Sequence, residues 1–326
     1  MRRRTFIAAL GGAAAIVGCN EVLAQKTGEM PRIAMVRVDP DDRQDVAVFE
    51  QGMRAAGWIK DINVRLDYYV SSDDPQRITT VATEAVSSNP TIIVTIASPN
   101  TLATQRLTST IPIVFAVVSD PIGQGIATNF AHPGGNVTGF SYFDSGIGGK
   151  WLQLLREMTP QRTRFVSMFS PTGGPTELFQ RSIEDAARSL NIEVSRALVH
   201  NDSEIEAVFE RIAGATDIAL LIPSNQFTYI RSRMIAELAA KHRIPTMYPA
   251  RRFADEGGLV AYGPDLYHQI YSAASYVDRI LKGAKPGDLP IQQPTKYMLV
   301  VNLRAAKALD LTIPPSLLAR ADEVIE

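Results

Sequence analysis

The chain has 326 residues, 33 Lys and Arg against 34 Asp and Glu, a formal net charge of −1 and a single cysteine. A charge this balanced, with no basic cluster after the first few residues, speaks against nucleic acid and against a polybasic membrane surface as partners. The lone Cys19 excludes an internal disulfide and a thiolate metal site, so a buried core must hold the fold, which a chain of this length supplies most naturally as two domains.

Arg2, Arg3 and Arg4 precede an apolar stretch, Phe6 to Val17, that is too short to cross a bilayer as a stable helix. This is the pattern of an export leader, and it predicts a mature protein in the periplasm. Arg3 and Arg4 followed by Thr5, Phe6 and Ile7 fit the twin-arginine route, and the general secretory route accepts the same residues. Two processing sites compete. Cleavage after Val22-Leu23-Ala24 removes residues 1–24; alternatively Ile16-Val17-Gly18-Cys19 resembles a lipobox, in which residues 1–18 are removed and Cys19 is lipidated. In the second case Asn20 to Met30, polar and aperiodic, becomes a tether, and the lipid is the only membrane attachment.

The rest of the chain alternates short β-branched runs with amphipathic stretches, the pattern of parallel sheets covered by helices on both faces. Strands are expected at Ile33 to Val38, Asn63 to Val70, Ile92 to Ala97, Ile113 to Val118 and Val137 to Phe140. Helices are expected near Asp42 to Ala56, Pro75 to Ser87 and Pro99 to Leu107, with Gly57 and Asn89-Pro90 as stops. A second set follows: helix Lys150 to Met158, strand Phe165 to Phe169, helix Glu177 to Leu190, strand Glu193 to Val199, helix Ser203 to Ile212, strand Ile218 to Ile222 and helix Ile230 to Lys241. Strands at Thr246 to Tyr248 and Leu259 to Tyr262 complete a second sheet, and Leu266 to Leu281 is a further long amphipathic helix. The fold class is therefore α/β, with two doubly wound lobes. The first comprises 31–140 plus 264–284, the second 141–263 plus 295–326, and a cleft lies between them.

In open parallel sheets, ligands bind beyond the carboxyl ends of the strands, where helix N-termini present unpaired N–H groups. Ser98-Pro99-Asn100-Thr101 stands at one such end and reads either as an ordinary N-cap or as the seat of an anionic group on Ser98 and Asn100. Ser119 and Asp120 stand at the next, with Asp120 as a turn cap or as an acceptor from a ligand. In the second lobe Ser170 and Thr172 follow one strand, and Ser224 and Asn225 another. Tyr142, Tyr248 and Tyr262 lie at comparable positions, where they either wall an apolar or aromatic ligand or pack in the core. Arg37 ends the first strand and can meet a carboxylate or the solvent.

Catalytic constellations are missing. His132, His200, His242 and His268 are dispersed without metal-ligand spacing, and Ser141 lacks a nucleophile elbow. Asp41, Asp42, Asp73 and Asp74 precede helical stretches, where acidic caps complement the helix dipole. Gly123-Gln124-Gly125 lacks the third glycine and the strand context of a dinucleotide loop. The expectation is a non-enzymatic binding protein with no cofactor and no metal.

Several segments resemble the ABC transporter substrate-binding protein family that includes tryptophan- and tyrosine-type solute receptors. They are Ile111 to Phe115, Ser119 to Gly123, His132 to Gly139, Gly257 to Leu259, Tyr262 to Pro264, Tyr276 to Gly283, Pro294 to Lys296 and the tail Ala319 to Glu326. The resemblance implies a type I periplasmic-binding-protein fold, a monomer that closes two lobes on a small-molecule ligand, and a membrane permease and ATPase as partners. It further implies that Leu266 to Leu281 packs on the first lobe and that Tyr297 to Val301 returns to the edge of the second. Aromatic amino-acid receptors of the family tend to carry aspartate where Asn225 stands, so the resemblance leaves aromatic acids, other small carboxylates and amino acids as competing ligands. A sensory receptor for a membrane signalling partner is the alternative function.

Overall fold

The computed structural model describes residues 30–144, 146–172 and 175–326; the expected leader, both processing sites and Cys19 lie outside the described residues. Five parallel strands form the first sheet, β1 (Arg32–Arg37), β2 (Arg65–Val70), β3 (Ile92–Ile96), β4 (Ile113–Val118) and β5 (Val137–Ser141), in the order β2-β1-β3-β4-β5. Parallel neighbours need crossovers, supplied by α1 (Arg43–Ala55), α2 (Pro75–Ser87) and α3 (Ser98–Leu107). Continuous burial of β3, all five residues of Ile-Ile-Val-Thr-Ile, is what a strand covered on both faces requires.

The second sheet holds β6 (Arg164–Phe169), β7 (Glu193–Leu198), β8 (Ile218–Leu221), β9 (Thr246–Tyr248), β10 (Val260–Pro264), β11 (Tyr297–Asn302) and β12 (Glu323–Ile325), in the order β12-β11-β10-β9-β8-β6-β7. Around it lie α4 (Ile147–Met158), α5 (Thr176–Leu190), α6 (Asp202–Ile212), α7 (Gln226–Ile230), α8 (Ser232–Lys241) and α9 (Arg251–Asp255). The sheet is mixed, because β11 runs antiparallel to β10. Nor is β11 at the edge: β12, a strand not expected from the sequence, pairs outside it. Its three residues are too few for a period-2 pattern to register.

The strand β11 is antiparallel because of the route the chain takes to it. After α10 (Leu266–Leu281), the chain first follows the free edge of β5. Thr138 Oγ1 donates to Leu289 O at 2.7 Å, Ser141 N donates to Gln292 O at 2.7 Å, and Gln292 N donates to Gly139 O at 2.9 Å. Only beyond Gln292 does the chain cross to the second sheet, which it enters from the opposite end. Helix α10 itself packs on α1 and the first sheet, burying Ile270, Ala273, Ala274 and Val277 against Phe49 and Met53. Gly52 makes this contact possible, since a Cβ there would lie 2.5 Å from Tyr271 O. In the second sheet one face carries Trp151, Leu155, Phe179 and Ile183, and the other Phe209, Ile235, Tyr248 and Phe253.

Each sheet has one point at which strand order reverses. In the first the chain leaves β1 toward β2 and then returns to β3 on the other side of β1; in the second the same happens around β6 with β7 and β8. Loops diverge at such a switch point and leave a crevice beyond the strand ends.

Candidate ligand-binding cleft

The two crevices meet in one cavity, which has about 710 Å³ of empty space including its mouth to solvent. That lies within the range typical of small-molecule sites, roughly 300–1,000 Å³. From the first lobe it is lined by Val38 and Asp39 beyond β1, Ala97 and Ser98 beyond β3, and Val117 and Ser119 at the end of β4. Ser224, Asn225, Gln226 and Tyr229 come from beyond β8, and Tyr142 lies between the sheets.

Irregular backbone shapes the first-lobe wall. Ala97 has φ +71°, Val117 φ +60° and Asp120 φ +86°, left-handed conformations that a β-branched valine rarely adopts. Val117 lies where the pairing of β4 with β5 shifts register, between Phe115 and Val118. At Ala97 the chain turns straight into α3. Ser98 is therefore already helical and does not cap, contrary to the expected N-cap; its Oγ accepts from Gln124 Nε2 at 3.0 Å. No side chain caps the first turn of this helix.

Of the other residues singled out in the sequence, Ser119, Tyr142, Ser224 and Asn225 join Ser98 in the cavity wall. The Asn225 side chain is fully occupied. Its Oδ1 accepts from Phe227 N at 2.8 Å to cap α7, and its Nδ2 donates to Thr172 O at 2.6 Å and Ser170 O at 3.3 Å. Ser170 and Thr172 bond to each other at 2.9 Å and stand behind Asn225 rather than in the wall. Tyr142 is fully buried and donates to Pro249 O at 3.0 Å. Asp120 folds back on its own turn, accepting from Gly123 N at 2.7 Å, and Asn100 is buried in the first turn of α3 with Nδ2 donating to Ile96 O. Tyr248 lies in the second-lobe core stacked on Phe253, and Tyr262 stacks on Tyr297 while its carbonyl accepts from Trp151 Nε1 at 2.6 Å.

Arg37 does not reach the cavity either. Its Nε pairs with Asp45 at 2.8 Å, with both side chains buried. Burial pushes the Asp45 carboxyl up to about 6, against the pull of the Arg37 guanidinium hydrogen-bonded to it.

The main surprise is acidic. Asp39, Asp42 and Asp45 all line the cavity, and among the described residues its wall contains no lysine, arginine or histidine. Asp42 caps α1 as the sequence suggests, but its carboxylate also accepts from Tyr229 Oη at 2.8 Å and Tyr267 Oη at 3.1 Å. Asp39 meets Arg252 Nη1 at 2.5 Å, and beyond the cavity Asp73 meets Arg231 Nη1 at 2.5 Å. Gln226, 5 % exposed, donates from Nε2 to Ser72 O at 2.6 Å, whereas its Oε1 has no partner among the described residues. The position of Asp39 just past a strand end was the available signal for this group. Gln226 closes the strand-end segment Pro223 to Gln226 and carried the same signal, whereas Tyr229 had none, because only the approach of a short helix to the first lobe brings it to the wall.

The wall thus joins hydroxyls, carboxylates and apolar side chains without a nucleophile–base pair, an arrangement suited to holding a polar molecule. Among the described residues no cluster of His, Cys, Asp and Glu could hold a metal ion, and no helix is long and apolar enough to cross a membrane.

Known proteins extend this reading. The chain is 24 % identical over 263 residues to a tyrosine-binding protein of Clostridioides difficile (strain R20291), covering 81 % of this chain and 75 % of that one. A crystal structure of a conserved domain protein from Vibrio cholerae superposes with a TM-score of 0.82 at 26 % identity, covering 91 % of this chain and all of that one. The ABC domain from Streptococcus pneumoniae in complex with L-Trp matches with the same TM-score and coverage at 22 % identity, a likeness of fold. The model of the ABC transporter substrate binding protein family matches residues 34–325, and the chain belongs to that family.

Proposed function

We propose that this protein is the extracytoplasmic solute receptor of an ABC importer, binding one small organic molecule by closure of its two lobes and delivering it unchanged to a membrane permease with its ATPase. The observation that carries this reading is a single cavity at the paired switch points of two sheets, with polar groups from both lobes in its wall. Units 31–140 with 264–284 and 141–263 with 295–326 move against each other, and a ligand that touches both favours the closed arrangement. Aromatic bodies and carboxylate-bearing molecules, amino acids among them, are the ligand classes of this reading, and no cofactor takes part. Related proteins whose names or structures record tyrosine and L-Trp support it at the level of ligand size. The receptor is a monomer, exported through its Arg2–Arg4 leader and, with Cys19 lipidated, held to the membrane by acyl chains.

Titration calorimetry and thermal melts of the purified mature chain against a library of small metabolites provide the test. The expected result is saturable one-to-one binding of one chemical class, a rise in Tm that grows with ligand concentration, and recovery of the ligand unaltered. Conversion of the ligand to a product refutes the reading. For the anchor, Cys19→Ala should move the protein from the membrane to the soluble fraction, and an intact mass beginning at Gln25 refutes lipidation.

A further inference from the structure

We propose that the ligand of this cleft carries a protonated amine, seated between the Asp42 carboxylate of the first lobe and Gln226 Oε1 of the second. The inference rests on the solute-receptor reading and concerns which charge that receptor selects. Among the described residues, three carboxylates line the cavity and no basic side chain does. Two of the three are already met by cations, Asp39 by Arg252 and Asp45 by Arg37. Asp42 has no ion-pair partner among the described residues; only the phenol hydroxyls of Tyr229 and Tyr267 and the Asp45 amide donate to its carboxylate. Neutral donors solvate a carboxylate but leave its charge, so a cation entering the cavity gains Coulombic energy that an anion loses.

Gln226 adds an independent observation. Its Oε1 is a buried acceptor without a partner among the described residues, in a residue of the same wall, and an acceptor left this way is costly unless a donor arrives. The amide cannot simply turn over, since its Nε2 is held by Ser72 O at 2.6 Å. Gln226 and Tyr229 lie three apart on α7 and so share one face of that helix, and Tyr229 bonds Asp42. An ammonium has three donors and no acceptor, which matches a carboxylate and an amide oxygen and mismatches both when replaced by a carboxylate. Asn225, in the same wall, has no free polar atom for the task, since its Oδ1 and Nδ2 are both engaged.

Matched pairs that differ only in the charged group test this: phenethylamine against 3-phenylpropanoate, and 3-methylbutylamine against 4-methylpentanoate, with phenylalanine as the zwitterion and glucose as a neutral control. Thermal melts and calorimetry on the full mature chain should show a rise in Tm with at least one of the amines or with phenylalanine, and none with the carboxylates. Asp42→Asn and Gln226→Met, each confirmed folded by its melt, should weaken the binding amine by tenfold or more. If a carboxylate or glucose binds and no amine or zwitterion does, the charge assignment falls while the receptor reading stands. If an amine binds equally well to both variants, the seat is wrong and the proposal falls. If none of the six compounds binds, the amine assignment falls, and the receptor reading is decided separately by the library screen.

Discussion

Arg252 of the second lobe and Asp39 of the first face each other at 2.5 Å across the cleft, and both are largely buried. The Arg252 guanidinium also pairs with Glu256 at 3.2 Å and lies 5.1 Å from the Tyr229 ring centre, so one side chain links the floor of the second lobe to the strand end of the first. Removing one partner of a buried pair costs about 3–5 kcal/mol when the other charge stays buried. Here the molecule has a cheaper response, because parting the lobes returns Asp39 to water. Arg252→Ala should therefore shift the ligand-free protein toward an open form, seen as a larger radius of gyration in small-angle scattering. Equal radii in parent and variant would show that this pair does not set the lobe arrangement.

The raised Asp45 carboxyl makes stability fall with rising pH. The group titrates near 3.8 unfolded and near 6 folded, so between those values the folded chain holds a proton that the unfolded chain has released. Stability contributed by this group is greatest below pH 4 and is lost as pH rises toward 6, a difference of about 3 kcal/mol. Carboxylates held low by partners, such as Glu184 beside Arg196, act in the opposite sense, and their stabilisation is lost only as pH falls below about 4.5. Urea unfolding at pH 4.5 and 6.5 should show the decline in the parent chain and a flatter response in Asp45→Asn.

Asn225→Asp should destabilise the second lobe. Nδ2 of Asn225 donates to two carbonyls, Ser170 O and Thr172 O, and a carboxylate oxygen in its place would face them without a proton. Loss of those bonds costs about 1–3 kcal/mol, more if the carboxylate remains ionised. Differential scanning calorimetry should record a lower Tm, whereas an unchanged Tm would mean that the loop after β6 rearranges freely.

Gly52→Ala tests how α10 is attached to the first lobe. The added methyl would lie 2.5 Å from Tyr271 O and 2.8 Å from Ala274 Cβ, so the helices must separate. Overpacking of this kind costs about 1–3 kcal/mol, although alanine is the better helix former. Chemical denaturation should give a lower midpoint with an unchanged slope.

Much of this protein was legible in order along the chain. Periodic and β-branched runs marked β1, β3, β4, β5, β6 and β8 to within a residue or two, and the long helices with them, since these are local patterns of burial. The rule that ligands gather beyond strand ends placed Ser98, Ser119, Ser224 and Asn225 in the cavity wall. Among the short elements, β9 was marked at its observed bounds, whereas α7, α9 and β12, with three to five residues each, escaped because so few residues carry no period of their own.

What a side chain does with its position was decided by the tertiary structure. Asp41 and Asp42 read as acidic caps ahead of a helix, and Asp42 is one, yet only the approach of α7 and α10 brings Tyr229 and Tyr267 to its carboxylate and sets it in the wall. Tyr248 and Tyr262 read either as walls of a ligand site or as packed side chains, and their contacts decide: Tyr248 is buried against Phe253, and the half-buried Tyr262 stacks on Tyr297. The division has a physical origin. Secondary structure follows from dihedral preference and one-sided burial over a few neighbouring residues, which the sequence determines by itself. The charge and shape of the cleft come from groups such as Asp42 and Tyr229, 187 residues apart in the chain, whose meeting depends on how two separately wound sheets are docked.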